Sequence, residues 1–307
     1  MAAAPATLNI VQEEYKHRSL WMDVWLQFRK HKGALIGMTV LAFLVLAVLV
    51  GPLVYTVNPQ FLDPVAQNQG PSAAHPLGTD NLGRDMLAQI LAGGRISLAV
   101  GVTAMLISIT LGAAIGILAG YFPRLDNPLM RLTDMFLSLP ILPLLLVIIL
   151  LFRDTLRALF GPETGIFLLI VFVIGITSWM QTARVVRGEV LSVKNQEFVT
   201  AAISIGTRKS KIISRHIFPN VLSPVMVAAA LGVAAAIITE SALSFLGLGF
   251  PSDFPTWGRL LFDGKDYIQL TPTRVLWPGV AISLTVLSVN FIGDGLRDAL
   301  DPRLRGR

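Results

Sequence analysis

The chain has 307 residues, of which 53% are hydrophobic and 14% charged, with a mean hydropathy of +0.66 and a net charge of +6. Soluble domains carry about a quarter charged residues, so this composition points to a bilayer. It contains no cysteine, which excludes disulfides, thiolate metal sites and cysteine nucleophiles.

About 33 mixed, charged residues precede the first apolar run, so no cleavable signal peptide is expected. Within them Leu20, Trp21, Val24, Trp25 and Phe28 recur at helical spacing. Asp23, Gln27, Arg29 and Lys30 fall elsewhere on the wheel, the pattern of an amphipathic helix lying at the membrane surface. Six apolar runs of near-spanning length follow, at about 34–54, 97–121, 129–152, 165–180, 221–239 and 275–293. The expected fold is therefore an all-α membrane protein with six transmembrane helices. Its parts are an N-terminal interfacial segment (1–33), a first span with an external segment (34–95), a core (96–293) and a charged tail (294–307).

Lysine and arginine counts set the orientation. With the N-terminus in the cytoplasm, inside segments carry 18 of the 25 Lys and Arg residues, so both termini and the 181–220 loop are expected inside. The basic balance thus orients the spans and does not indicate nucleic acid. The second run carries Gly112, Gly116 and Gly120 on one helix face, where missing side chains let another backbone approach. In the third, Arg131 and Asp134 lie one turn apart and are expected to pair.

The 181–220 loop is long for a connector. From about Asn195 to Ile205 it suits a helix carrying Ala201 and Ala202, which Gly206 ends in a left-handed conformation. A second basic helix from about Arg208 to Ile217 is expected to stop at Pro219 before the next span. Two short helices held between spans form a lever on which a partner pushes.

Several residues invite a chemical reading. His75, Asp80, Arg84 and Asp85 have metal-ligand chemistry, but one histidine among dispersed carboxylates fits a capped helix starting near Thr79 or Asp80 better. Glu240, at the border of the fifth run, and Asp134 are candidate pathway or gate residues; Arg95 is a candidate partner for Glu240. The SFLGLGF turn with Pro251, Pro255 and Trp257 reads as a folded external or re-entrant element. Asp294, Arg297, Asp298 and Asp301 with Pro302 read as a charged terminal helix and stop. No GxxxxGK[ST], HExxH or GxSxG occurs, so neither ATP hydrolysis nor other catalysis is expected of this chain alone. The span centres are nearly free of charge, which argues against an ion-coupled secondary transporter.

The Ala201-Ala202, Gly206 and Pro219 spacing resembles the EAA loop of binding-protein-dependent ABC permeases, with Thr200 where Glu is usual and Phe218 where Leu is usual. Glu197, one turn before Thr200, is placed to replace the missing carboxylate. HPLGTDNLGRDML (His75–Leu87), ESALSFLGLGF (Glu240–Phe250) and GDGLRDALDPRLR (Gly293–Arg305) resemble signatures of the peptide/nickel permeases, and more narrowly of the C-type subunit of dipeptide and oligopeptide importers. Such a resemblance implies a type I importer permease with Glu197, Thr200, Ala201, Ala202, Gly206, Phe218 and Pro219 in a coupling loop (194–219). It also implies a homologous second permease, ATPase subunits that hold ATP and magnesium, and an external solute-binding protein delivering peptides, nickel chelates or other small solutes. No cofactor or metal is expected on this chain itself.

Overall fold

The computed structural model describes residues 20–300. Among them the chain is entirely helical, without a β-strand. Two helices open it, α1 (Leu20–Lys30) and α2 (Lys32–Val54), hinged at His31, whose Nδ1 accepts the Ala34 N–H at 3.0 Å and so caps α2. The Leu20 and Trp21 side chains lie outside the described residues. Of the other apolar positions of α1, Phe28 is buried against Ala34 and Ala299, with Val24 packed beside it, while Trp25 stays exposed. The expected amphipathic helix thus divides its apolar side between the bundle and the surroundings.

The helix α3 (Met86–Tyr121) has 36 residues, about 54 Å, and starts well before the expected second span. Its cap is Asp85, which accepts the Ala88 N–H at 2.8 Å. That corrects the expected start near Thr79 or Asp80. Asp80 instead closes the preceding turn, accepting the N–H groups of Leu82 and Arg84 and the Arg84 side chain. Gly83 supplies the left-handed residue this turn needs (φ +77°), where any Cβ would strike the Asp63 carbonyl.

The expected third span is not one helix. It divides into α4 (Pro123–Ser138) and α5 (Ile141–Phe160), bent by 86°. Pro140 is the cause: the residue before a proline avoids the helical region, and Leu139 is extended at ψ 138°. Asp134 is not paired with Arg131 as its spacing suggested; its carboxylate meets Arg184.

The expected fourth span is longer than its apolar run. Helices α6 (Pro162–Ile176) and α7 (Trp179–Lys194) form one span candidate of 33 residues. Much of the segment first read as loop is therefore helix packed on α3. The segment expected to be the coupling element follows, made of α8 (Glu197–Ser204), α9 (Lys209–Ile212) and a wide π turn (Ile213–Ile217) that runs into α10 (Phe218–Phe245). Pro219 does not stop this helix. A proline lacks its N–H and collides with the carbonyl four residues back. The wide turn, in which Phe218 N–H bonds the Ile213 carbonyl, relieves both problems. The chain ends with α11 (Trp257–Gly264) and α12 (Thr273–Leu300). Asp294, Arg297 and Asp298 continue α12 as its last turns and form no separate helix; Asp301 and Pro302 lie outside the described residues.

Among the described residues five helices are long and apolar enough to cross a membrane, or six if the bent α4–α5 pair counts as one span. The centre is the α3–α5–α6–α10 cluster around Val100, Ile149, Ile170 and Leu243. A second apolar cluster joins the ends of α3 and α7 to the coupling element through Val190, Val199, Ile212 and Ile217.

Candidate functional site

Gly112, Gly116 and Gly120 form the seam between α3 and α7. A Cβ on Gly112 would sit 2.7 Å from the Trp179 carbonyl, and one on Gly120 would sit 2.7 Å from Val190 Cβ. Each four-residue step on α3 meets a four-residue step on α7, so the helices run side by side in the same direction. The small-residue face therefore packs within the chain. This seam leads directly to the coupling element, because α7 ends three residues before α8 begins. Arg187 grips Asp126 through two hydrogen bonds, one of 2.7 Å, and so ties α7 to the start of α4.

Within α8 the two alanines part. Ala202 is buried in the second apolar cluster with Val199, whereas Glu197, Thr200 and Ala201 are exposed. Gly206 is left-handed (φ +76°), and its N–H bonds the Ile203 carbonyl while Thr207 N–H bonds that of Ala202. These paired bonds close the C-terminus of α8 in the way its sequence suggested. Phe198, Ile203 and Phe218 are exposed, and Ile205 is 82% exposed, beside the basic Arg208, Lys209 and Lys211. An apolar knob with a basic rim is what a protein partner buries.

From the same end of the molecule a cavity of about 1210 Å³ runs into the bundle between α4, α7, α10 and the end of α12. Its wall is mainly apolar, with Thr177, Ser178, Gln181, Thr182, Asn220 and Ser223 as polar interruptions and only Glu189 and Arg297 as charges. Pro219 lines it. Of these lining residues only Pro219 and Arg297 stand out in the sequence. Gln181, Asn220 and Ser223 were detectable as polar breaks at the edges of apolar runs.

Asp134 and Glu240 are both outside the cavity lining. Glu240 is 0% exposed, buried inside the bundle in the last turns of α10. Its Oε1 accepts the Ser244 hydroxyl at 2.7 Å and its Oε2 the Ser97 hydroxyl at 3.3 Å. Ser97 in turn accepts the Trp257 N–H at 3.2 Å. Glu240 thus joins α3, α10 and the start of α11. The expected Arg95 partner is elsewhere, donating to the Val48 and Leu49 carbonyls near the end of α2.

The His75 group is structural in the same sense. Asp85 Oδ2 accepts Tyr55 Oη at 2.8 Å and contacts His75 Nδ1 at 2.9 Å, while Asp80 holds Arg84. Burial, and then the Asp85 carboxylate beside it, push the Tyr55 phenol up to about 12. Among the described residues no group of three or more His, Cys, Asp or Glu side chains is placed to hold a metal ion.

Residues 108–306 match the family described as the inner membrane component of binding-protein-dependent transport systems, and residues 19–71 match the N-terminal TM domain of oligopeptide transport permease C. A dipeptide transport system permease, DppC of Alkalihalophilus pseudofirmus, is 37% identical over 96% of this chain and 93% of its own. The oligopeptide permease OppC of Haemophilus influenzae is 39% identical over 97% and 93%. Among solved structures, a chain of the MetNI methionine ABC transporter in inward facing conformations superposes with a TM-score of 0.54 at 16% identity, covering 70% of this chain and 98% of that one. At that identity the likeness concerns the fold. The two sequence matches extend over nearly the whole chain, and on them the protein belongs to the family of membrane-spanning permease components of binding-protein-dependent transport systems.

Proposed function

We propose that the chain is one of two permease subunits of an ATP-driven peptide importer in a cytoplasmic (inner) membrane, with both termini and the coupling element on the cytoplasmic side. The near-full-length relationship to dipeptide and oligopeptide permeases carries this reading. The positive-inside bias supports its orientation. ATP and magnesium are held by partner ATPase subunits, and an external solute-binding protein delivers the peptide. Glu197, Thr200, Ala201, Ile203, Ile205 and Phe218 form the face offered to the ATPase, while Ala202, Gly206 and Pro219 shape the lever behind it.

The mechanism follows from how that lever is fixed. The α8 helix is clamped to α3 and α7 through Val199 and Ala202, and α9 continues through the wide turn into α10. When ATP draws the ATPases together, the knob is carried with them, and α7 and α10 move as attached rods. Both rods line the 1210 Å³ cavity, so their movement changes its access from one side of the membrane to the other. Hydrolysis resets it. The mainly apolar wall, with scattered hydroxyl and amide groups and only two charged residues, suits passage of varied peptides without tight binding.

The test uses the absence of cysteine. Ala201→Cys, on the exposed face, is expected to cross-link to an ATPase subunit in the assembled complex, and Ala202→Cys is not. Purified complex in proteoliposomes should take up labelled dipeptide or oligopeptide only with ATP and binding protein. Ala201→Cys that labels freely in intact complex without cross-linking would remove the docking assignment. ATP-dependent uptake of nickel chelate but not peptide would change the substrate.

A further inference from the structure

We infer that the hinge between α1 and α2 is a binding surface for the headgroups of anionic phospholipids. Two independent features meet there. The first is an apolar anchor: Met22 is 53% and Trp25 45% exposed, with Leu26 beside them, although Phe28 on the same helix is buried. In α2, too, apolar residues are exposed, beginning with Ile36. A helix that lies against a spanning helix and shows tryptophan and methionine next to it has its apolar residues at the depth of the acyl boundary.

The second feature is charge. Arg29, Lys30 and Lys32 fall within four positions and are all exposed. Among the described residues none of the three forms a salt bridge. They surround the N-terminus of α2, whose first turn holds no acidic residue and whose free N–H groups add positive potential. The nearby carboxylate, Asp298, faces His31 Nε2 at 3.7 Å, so among the described residues the three cations have no ion-pair partner. Each such cation near a bilayer surface enriches anionic lipid up to about fivefold. Because the anchor fixes depth and the cations sit beside it, the occupant is a lipid phosphate and not a soluble anion.

The experiment labels Met22→Cys with an environment-sensitive fluorophore in the full chain, purified with its co-purifying subunits. The protein is reconstituted in phosphatidylcholine vesicles containing equal mole fractions of either brominated phosphatidylcholine or brominated phosphatidylglycerol. Quenching by the phosphatidylglycerol is expected to be at least about threefold stronger. Combined Arg29→Gln, Lys30→Gln and Lys32→Gln should bring the ratio to about one, and Arg29→Gln or Lys30→Gln alone should lower it part of the way. Retained quenching by brominated phosphatidylcholine shows that α1 still lies in the membrane in these variants. Equal quenching in the unmodified background, or a ratio that survives the triple substitution, overturns the proposal. Abolition of the preference by millimolar inorganic phosphate overturns it too, since it identifies a soluble-anion site.

Discussion

Gly116 and Ala183 are so close that a Cβ on the glycine would lie 2.6 Å from the alanine carbonyl oxygen. Backbone rests on backbone along this seam, and α7 is held to α3 by its lack of side chains. Inside a bilayer, where apolar side chains gain little by leaving lipid, such close packing is a main source of helix association.

Gly116→Ala should therefore destabilise the chain by about 1–3 kcal/mol, the cost of overpacking where the obstacle is backbone. Gly188, on α7 itself, has open space where its Cβ would be, so Gly188→Ala is the control. It should be neutral or stabilising by up to about 1 kcal/mol through helix propensity. Thermal unfolding of the two variants in the same detergent is the measurement. Equal midpoints would mean that the seam is looser than drawn.

The Gly206 position separates strain from crowding. A Cβ there meets nothing within 4 Å, but its φ of +76° penalises any L side chain by about 1–2 kcal/mol. Gly206→Ala should lower ATP-dependent uptake more than Gly206→Asn, because asparagine tolerates the left-handed region. Both variants should keep the unfolding midpoint of the membrane core. A uniform loss with both substitutions would point to a role for the glycine other than backbone conformation.

For Glu240 the prediction concerns what does not change. Glu240→Ala leaves the Ser97 and Ser244 hydroxyls without their acceptor, and should cost about 1–3 kcal/mol. Glu240→Gln keeps an acceptor and should cost less. Neither should alter which peptides are taken up, since the side chain is fully buried and outside the cavity lining. Competition between labelled and unlabelled peptides in proteoliposomes reads this out, and an altered preference in Glu240→Gln would put the residue back on the path.

Tyr55 gives a pH signature. Its phenol is pushed up to about 12, so in the folded chain it keeps its proton while an unfolded tyrosine ionises near 10. The stabilisation it brings is fully present below about pH 10 and is lost as pH rises through about 12. The alkaline phenolate titration should contain one late component that Tyr55→Phe removes, and Asp85→Asn should shift that component down. A titration unchanged by Tyr55→Phe would contradict the contact.

Local physics was legible in the chain, and non-local physics was not. The apolar runs of bilayer length and the left-handed Gly206 each depend on residues within one segment of the chain, and each was readable without any tertiary contact. The bend at Leu139–Pro140 was equally local, but its proline lies inside an apolar run whose hydropathy alone looks continuous. The opposite error occurred at Pro219, where a proline was read as a stop and a wide turn carries the helix through. Charge also shortened the fourth span: α7 is polar on its outer face, yet its inner face is covered by the α3 glycines.

What the sequence by itself determined is a helical membrane protein, its family signatures and the short helix that Gly206 ends. Those follow from composition, spacing and backbone preference, which act within one segment. Only the tertiary structure decided that Ala202 faces the bundle and Ala201 does not, that Gly116 meets Ala183, and that Glu240 binds hydroxyls of another helix and not Arg95. Such contacts join residues up to 143 positions apart. They depend on how helices are rotated about their own axes, and only the packing of all of them together fixes that rotation.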